Sequence, residues 1–141
     1  YGGGREVMSA VSPEGPVYQA GTLSGNPLAV AGGLAQLRKL RENPGIYSSL
    51  DAKASELTKA FKGVVVNRIG SMFTPFFTRG PVVDWDSASR ADVRKFARLH
   101  RHMRERGIAL PPSQFEAWFV SDAHGKAELD RTAEAIRSFR G

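Results

Sequence analysis

Gly63-Val64-Val65-Val66-Asn67-Arg68-Ile69-Gly70-Ser71-Met72-Phe73-Thr74-Pro75-Phe76-Phe77-Thr78 is the stretch on which the fold turns. Val64, Val65 and Val66 are β-branched and stiff at χ1, which favours extended backbone. The run predicts a strand over 64–69, a turn at Gly70-Ser71 and a second strand over 72–78. A hairpin is the economical arrangement. Pro75 has no amide donor, so it argues for an edge position or a bulge in the second strand.

Upstream of the hairpin, Asn43-Pro44-Gly45 signals a helix start. A helix is expected over 46–61, with Leu50, Leu57 and Phe61 inward and Gly63 beyond its end. Downstream, residues 79–88 are expected to be a loop. Ser89 with Asp92 resembles a capping box for a helix over 90–106 that stops at Gly107. Pro111-Pro112 is a stiff connector. Phe115, Ala117 and Phe119 alternate with Glu116, Trp118 and Val120, which predicts a third strand over 115–120. A last helix over 127–139 buries Leu129, Ala133 and Ile136. The fold class is α+β: a three-stranded, mainly antiparallel sheet with helices 46–61, 90–106 and 127–139 on one face.

The N-terminal part differs in character. Arg5 to Val11 suits one or two helical turns, and residues 12–25 suit an irregular loop rich in proline and glycine. Asn26-Pro27 is an N-cap followed by proline at the first helical position. The helix it opens runs to about Arg41. Leu28, Ala29, Val30, Ala31, Leu34 and Ala35 make its first half apolar almost all round, so burial is expected. Gly32 and Gly33 suit a close backbone approach.

The chain has 141 residues, with 20 basic against 14 acidic side chains and a formal charge of +6. It has no cysteine, which excludes disulfides, zinc–thiolate sites and cysteine nucleophiles. No apolar run reaches the ~20 residues that span a bilayer, and a cytoplasmic protein is expected, with no membrane partner. The densest charge lies on the 90–106 helix. Val93, Phe96, Leu99, His100 and Met103 share one face, and Arg90, Arg94, Lys95, Arg98, Arg101 and Arg104 lie opposite. Binders of single-stranded nucleic acid interleave aromatics with cations. The one aromatic here, Phe96, points inward, so a solvated face is expected rather than a nucleic-acid site. His100 is expected in the core with a hydrogen bond and His102 in solvent. His124 falls in a loop. No histidine pair has metal-ligand spacing beside a carboxylate, so no metal is expected.

Tyr18-Gln19-Ala20-Gly21-Thr22-Leu23-Ser24-Gly25-Asn26-Pro27 joins small and hydroxyl residues directly to a helix N-terminus. Free amides and the helix dipole there favour an anion, and Thr22 and Ser24 add hydroxyl donors. It is not a P-loop, because no Lys-Ser/Thr pair ends it. Glu116 is a lone carboxylate in an otherwise apolar strand.

The run from Val17 to Ala29 resembles the phosphate-side loop of the glutamate-1-semialdehyde 2,1-aminomutase family, in the class III aminotransferase group. Gly70-Ser71-Met72-Phe73-Thr74 with Phe76-Phe77-Thr78 is similar to that family's small-domain hairpin. Pro112-Ser113-Gln114-Phe115-Glu116-Ala117 with Phe119 and Ala123-His124 is similar to its C-terminal signature. The resemblance runs through essentially the whole chain. It implies a fold type I enzyme that uses pyridoxal 5′-phosphate (PLP) to convert glutamate-1-semialdehyde to 5-aminolevulinate in tetrapyrrole synthesis. It implies a homodimer, with the loop 15–27 crossing between subunits. Gly21 and Thr22 match the residues that reach the cofactor phosphate, Tyr18 and Gln19 flank that approach, and Glu116 lies near the substrate.

By the same resemblance, the cofactor-bonding lysine belongs upstream of Tyr1. None of Lys39, Lys53, Lys59, Lys62, Lys95 and Lys126 matches its motif, so no catalytic residue is assigned in the chain. The opening Tyr1-Gly2-Gly3-Gly4 suggests the C-terminal third of a longer enzyme, inactive alone. Residues 1–42 would be the tail of the large PLP-binding domain, whose N-terminal remainder is missing, and 43–141 the small domain. Residues 1–25 would be poorly ordered or held by another chain. Gly4 stands where the family has arginine, and the stretch from Phe61 to Val64 is short. Ala109, Pro111 and Trp118 replace tyrosine, alanine and glycine toward the substrate side. Two alternatives remain: a class III aminotransferase with another amine substrate, and a basic module binding a polyanion.

Overall fold

In the computed structural model, which describes residues 1–141, the hairpin forms as the β-branched run dictates. In chain order the elements are α1 (Arg5–Met8), α2 (Pro27–Glu42), α3 (Ile46–Thr58), β1 (Val65–Ile69), β2 (Met72–Phe76), α4 (Trp85–Ala88), α5 (Val93–Glu105), β3 (Trp118–Phe119) and α6 (Lys126–Ser138). They fall into two units, Tyr1–Glu42 and Asn43–Gly141.

In the second unit the sheet has the order β1-β2-β3, antiparallel throughout. Ile69 pairs with Met72 across Gly70-Ser71. Gly70 has φ +54°, the conformation required at the first position of a two-residue hairpin turn with glycine leading. Phe73, Trp118 and Val120 then face α3, α5 and α6, in one core with Ala54, Leu57, Phe96, Leu99, Met103, Ala133 and Ile136. Phe61, Phe73 and Trp118 pack edge-on or tilted, at ring separations of 5.3–6.3 Å. The expected layer of helices on one face of three strands is the observed architecture. A smaller cluster of Phe76, Val82, Ala88 and Ala91, backed by Val65, lies apart from that core.

Several local expectations are corrected. β2 is the central strand, not an edge strand, but buried Pro75 lies opposite Val66 beyond the reach of β3, so the edge position expected for it holds locally and there is no bulge. The hairpin register turns the Pro75 carbonyl and missing amide away from β1, on the side where β3 has already ended. The carbonyl accepts from Gln114 Nε2 at 2.7 Å instead, so no ladder bond is lost. The third strand is two residues long, not six. Residues 113–116 form a turn, closed by the Glu116 amide on the Ser113 carbonyl at 3.2 Å, and pairing starts only after it. α3 reaches Phe61 as expected only through tightened bonds, Ala60 to Leu57 and Phe61 to Thr58.

The N-cap of α5 is Asp92, not Ser89. Its carboxylate accepts from the Lys95 amide at 2.8 Å. A capping box exists, but inside the stretch expected to be loop. Asp84 accepts from the Ser87 amide at 2.8 Å, and the Ser87 hydroxyl accepts from the Asp84 amide at 3.1 Å, which starts α4. The Ser87 hydroxyl and amide hold the Asp84 carboxyl below its ordinary range. A depressed carboxyl stabilises the fold above its unfolded pKa of ~3.9 and loses that contribution as pH falls through the lower folded value. Asp84→Asn is therefore expected to flatten the acid limb of the stability curve below about pH 4, in thermal melts from pH 2 to 7.

His100 and His102 are both half-buried, and it is His102, not His100, that makes a hydrogen bond across the core. His102 is half-buried, with Nε2 at 2.9 Å from the Ala135 carbonyl, tying α5 to α6, and its ring stands edge-on to Phe139. His100 sits against the Phe96 ring, 6.3 Å between ring centres. α5 ends in a glycine cap, with the Ile108 amide on the Met103 carbonyl and the Gly107 amide on the Arg104 carbonyl.

In the first unit, Val11 and Val17 form an isolated bridge around a tight bend. α2 begins where Asn26-Pro27 predicts, but none of its residues is buried. Leu28 is 83% exposed and Leu37 66%, so the expected burial of this apolar helix is not met within the chain. No helix is long and apolar enough to cross a membrane.

Candidate functional site

The loop ahead of α2 carries four of the five residues singled out from the sequence. Its shape follows from two short bonds: the Ser24 amide donates to the Gly21 carbonyl at 2.8 Å, and the Asn26 amide to the Leu23 carbonyl at 3.1 Å. Gly25 turns the chain into the helix. A side chain at Gly21 would place its Cβ 2.5 Å from Ser24 Oγ, so this residue leaves the space that the serine hydroxyl occupies. Tyr18 is 82% exposed, and Gln19 Nε2 donates to the neighbouring Ala20 carbonyl at 3.1 Å.

The expectation of free amides at the start of α2 is corrected. Pro27 has no N–H. The Leu28 and Ala29 amides both donate to Asn26 Oδ1 at 3.1 Å, and the Val30 amide donates to the Asn26 carbonyl at 2.9 Å. The helix end is therefore closed by its own cap. The amides of Thr22 and Leu23 make no hydrogen bond within the chain, and the Thr22 side chain is exposed. Any anion held here would rest on the loop itself, with the α2 dipole behind it. That donor set, two amides and a hydroxyl beside a residue without a side chain, fits a phosphate group.

Glu116 belongs to the other unit and is not on a strand. Its Oε1 accepts from the Ser113 amide at 3.1 Å, and its backbone carbonyl accepts from the Thr74 hydroxyl at 3.3 Å. The carboxylate is exposed and ordered by its own turn. The signal that would have placed it was Ser113 three residues upstream: Ser-x-x-Glu is capping-box spacing, and the Glu116 carboxylate on the Ser113 amide is the back-reaching half of that motif.

No group of histidines and carboxylates is placed to hold a metal. His124 Nδ1 accepts from the Ser121 amide at 3.1 Å, a loop-closing role. The arginines of α5 lie exposed, opposite buried Phe96, Leu99 and Met103. Lys95 departs from them: it is half-buried, 5.4 Å above the Phe77 ring.

The solved structures that share this fold are transaminases. A β-phenylalanine aminotransferase from Variovorax paradoxus superposes with a TM-score of 0.63 at 25% identity, over 97% of this chain and 33% of its own. An ω-transaminase from Sphaerobacter thermophilus gives 0.59 at 26% identity over the same shares. The fold is thus that of the transaminases, and the sheet with its helices corresponds to their small C-terminal domain.

No family model matches the chain. Curated relatives are more decisive. The glutamate-1-semialdehyde 2,1-aminomutase of Thermomicrobium roseum is 51% identical over 97% of this chain, and that of Sulfurihydrogenibium azorense 53% over 97%. The enzyme of Thermus thermophilus is 50% identical over the same share. The chain belongs to the glutamate-1-semialdehyde 2,1-aminomutase family and corresponds to its C-terminal portion. It spans about a third of the length of these relatives, 34% of each.

Proposed function

We propose that this chain works as the C-terminal part of a PLP-dependent aminomutase that converts glutamate-1-semialdehyde to 5-aminolevulinate. The observation that carries this reading is identity of about one half to named aminomutases over 97% of the chain, against 25–26% to the two aminotransferases. Residues 1–42 would then close the large domain and 43–141 form the small one. PLP, when bound, supplies the electron sink that lets an amino group leave one carbon and return to the next. The residues of this chain would hold and orient. Gly21 and Thr22 would receive the phosphate through the Thr22 amide and hydroxyl, reaching across a homodimer through the loop 15–27. Tyr18 and Gln19 would border that approach. Glu116, fixed by the Ser113 amide, would face the substrate. The apolar face of α2, exposed in the chain, is the surface that a large domain or a second subunit would cover.

The direct test is turnover by the intact protein. Glutamate-1-semialdehyde consumed with equimolar 5-aminolevulinate supports the reading. An amine and a keto acid exchanging amino groups, with no 5-aminolevulinate, would replace it by an aminotransferase. In the same protein Thr22→Ala removes a hydrogen bond to a charged group, worth about 1.5–3 kcal/mol. The dissociation constant for PLP is expected to rise tenfold or more, read by equilibrium dialysis and cofactor absorbance. Retention equal to the parent would remove Thr22 from the phosphate site.

A further inference from the structure

Where the chain leaves α3 and α6, and where α5 begins, the second unit holds a cleft of about 350 Å³ that contains none of the residues assigned to the cofactor or to the substrate side. Four cations line it, Lys62, Lys95, Arg137 and Arg140, and no aspartate or glutamate does. Phe77 and Phe139, 6.2 Å apart between ring centres, give it an apolar wall. The four cations are unmatched within the chain. Its ion pairs join Lys53, Lys59, Arg68 and Lys126 to carboxylates, and none of the four takes part in one. Gly141 also lines the cleft, and its terminal carboxylate makes no ion pair either. Glu56, the carboxylate whose charge Arg137 feels, is bonded to Lys59 at 2.6 Å. Asp92, one turn before Lys95, turns its carboxylate to the Lys95 amide.

Lys95 sharpens the point. It is half-buried, with the Phe77 ring 5.4 Å from its ammonium. A cation drawn out of water is costly without an opposite charge, and a ring face returns only part of that cost. Four like charges around one cleft also repel one another, and a single bound polyanion relieves all of them. Guanidinium forks and ammonium groups are the side chains that hold phosphate oxygens. The volume lies at the small end of ligand sites, about 300–1,000 Å³, which suits a short chain of phosphates. We propose that this cleft binds a compact polyanion with two or more linked phosphate groups, held by Lys62, Lys95, Arg137 and Arg140.

The test uses the intact protein saturated with PLP, so that its cofactor site is filled. The probes are inorganic triphosphate and ATP, both without magnesium. Saturable binding of triphosphate is expected by calorimetry, and tighter than that of orthophosphate. ATP equal to triphosphate makes the phosphate chain alone the ligand, and tighter ATP adds a nucleoside. Both outcomes support the site. Lys95→Met keeps the stem over Phe77 and removes the charge. That variant and Arg137→Gln are each expected to weaken triphosphate about threefold or more, as for a partly exposed charge pair. Arg137 is exposed, so Arg137→Gln tests the site if Lys95→Met does not fold. Arg104→Gln removes one exposed charge from the opposite face of α5 and should leave the affinity within about twofold. No saturable triphosphate binding up to about 10 mM, weaker than any specific site, overturns the proposal. So does an equal loss in Arg104→Gln, which would make the attraction one of net charge. Release of PLP by triphosphate, read from cofactor absorbance, overturns it too, because the phosphate would then sit at the cofactor site.

Discussion

After incubation of this chain with PLP and borohydride reduction, none of its six lysines is expected to carry a pyridoxyl group. A lysine that bonds a carbonyl cofactor must present an uncharged amine, which proteins achieve by taking it out of water. No lysine here is so placed. Lys53 lies 3.4 Å from Asp122, Lys59 2.6 Å from Glu56 and Lys126 2.5 Å from Asp130. Lys39 and Lys62 are exposed, and Lys95 covers the Phe77 ring. Peptide mapping by mass spectrometry reads the outcome. A stoichiometric adduct on any one of them would place the cofactor-bonding residue inside this chain.

Leu99→Ala is expected to be strongly destabilising to the second unit. Leu99 is 1% exposed and sits mid-α5, in the core shared with Phe73, Trp118 and Ile136. Removing a buried leucine to Cβ costs about 2–5 kcal/mol, because transfer energy is lost and the site collapses only in part. Domains of this size have net stabilities of about 5–15 kcal/mol. A domain of 60–100 residues loses about 4–8 °C per kcal/mol, so the melting temperature should fall by roughly 10–30 °C. Ala97→Ser, on the exposed side of the same helix, should change it by little. A fall below 5 °C for Leu99→Ala would show that α5 does not carry the core.

The elements most legible in the sequence were those whose signals are local. Three valines, a Gly-Ser turn and a phenylalanine-rich run define the hairpin without reference to anything distant. Asn26-Pro27 places the start of α2 for the same reason. The misread features depend on residues brought from elsewhere. Pro75 looked unfit for a central strand because the Gln114 amide that serves its carbonyl lies 39 residues away. His102 looked exposed because its partner carbonyl, Ala135, is on another helix. Glu116 looked like a strand residue because alternation hid the turn from Ser113. The Gly21-Thr22 loop was legible as a phosphate-type element. Its bonding was not, because the side-chain oxygen of Asn26 takes the Leu28 and Ala29 amides that the pattern left open.

The two neighbours of β2 are reached at very different separations. β1 is joined to it through two residues, whereas Thr74 meets Glu116 across 42 positions of sequence. Closing a loop costs about 0.6 kcal/mol for each doubling of its length, so the second pairing carries roughly 2–3 kcal/mol more entropic cost than the first. That deficit is recovered only when α5, which lies within the long connection, has packed its own apolar side against the hairpin. β3 is too short to hold its register alone, so it arrives together with Trp118. Pairing of the third strand and closure of the core are therefore expected to occur together, with φ-values at Trp118 and Leu99 rising in step and later than those of the hairpin.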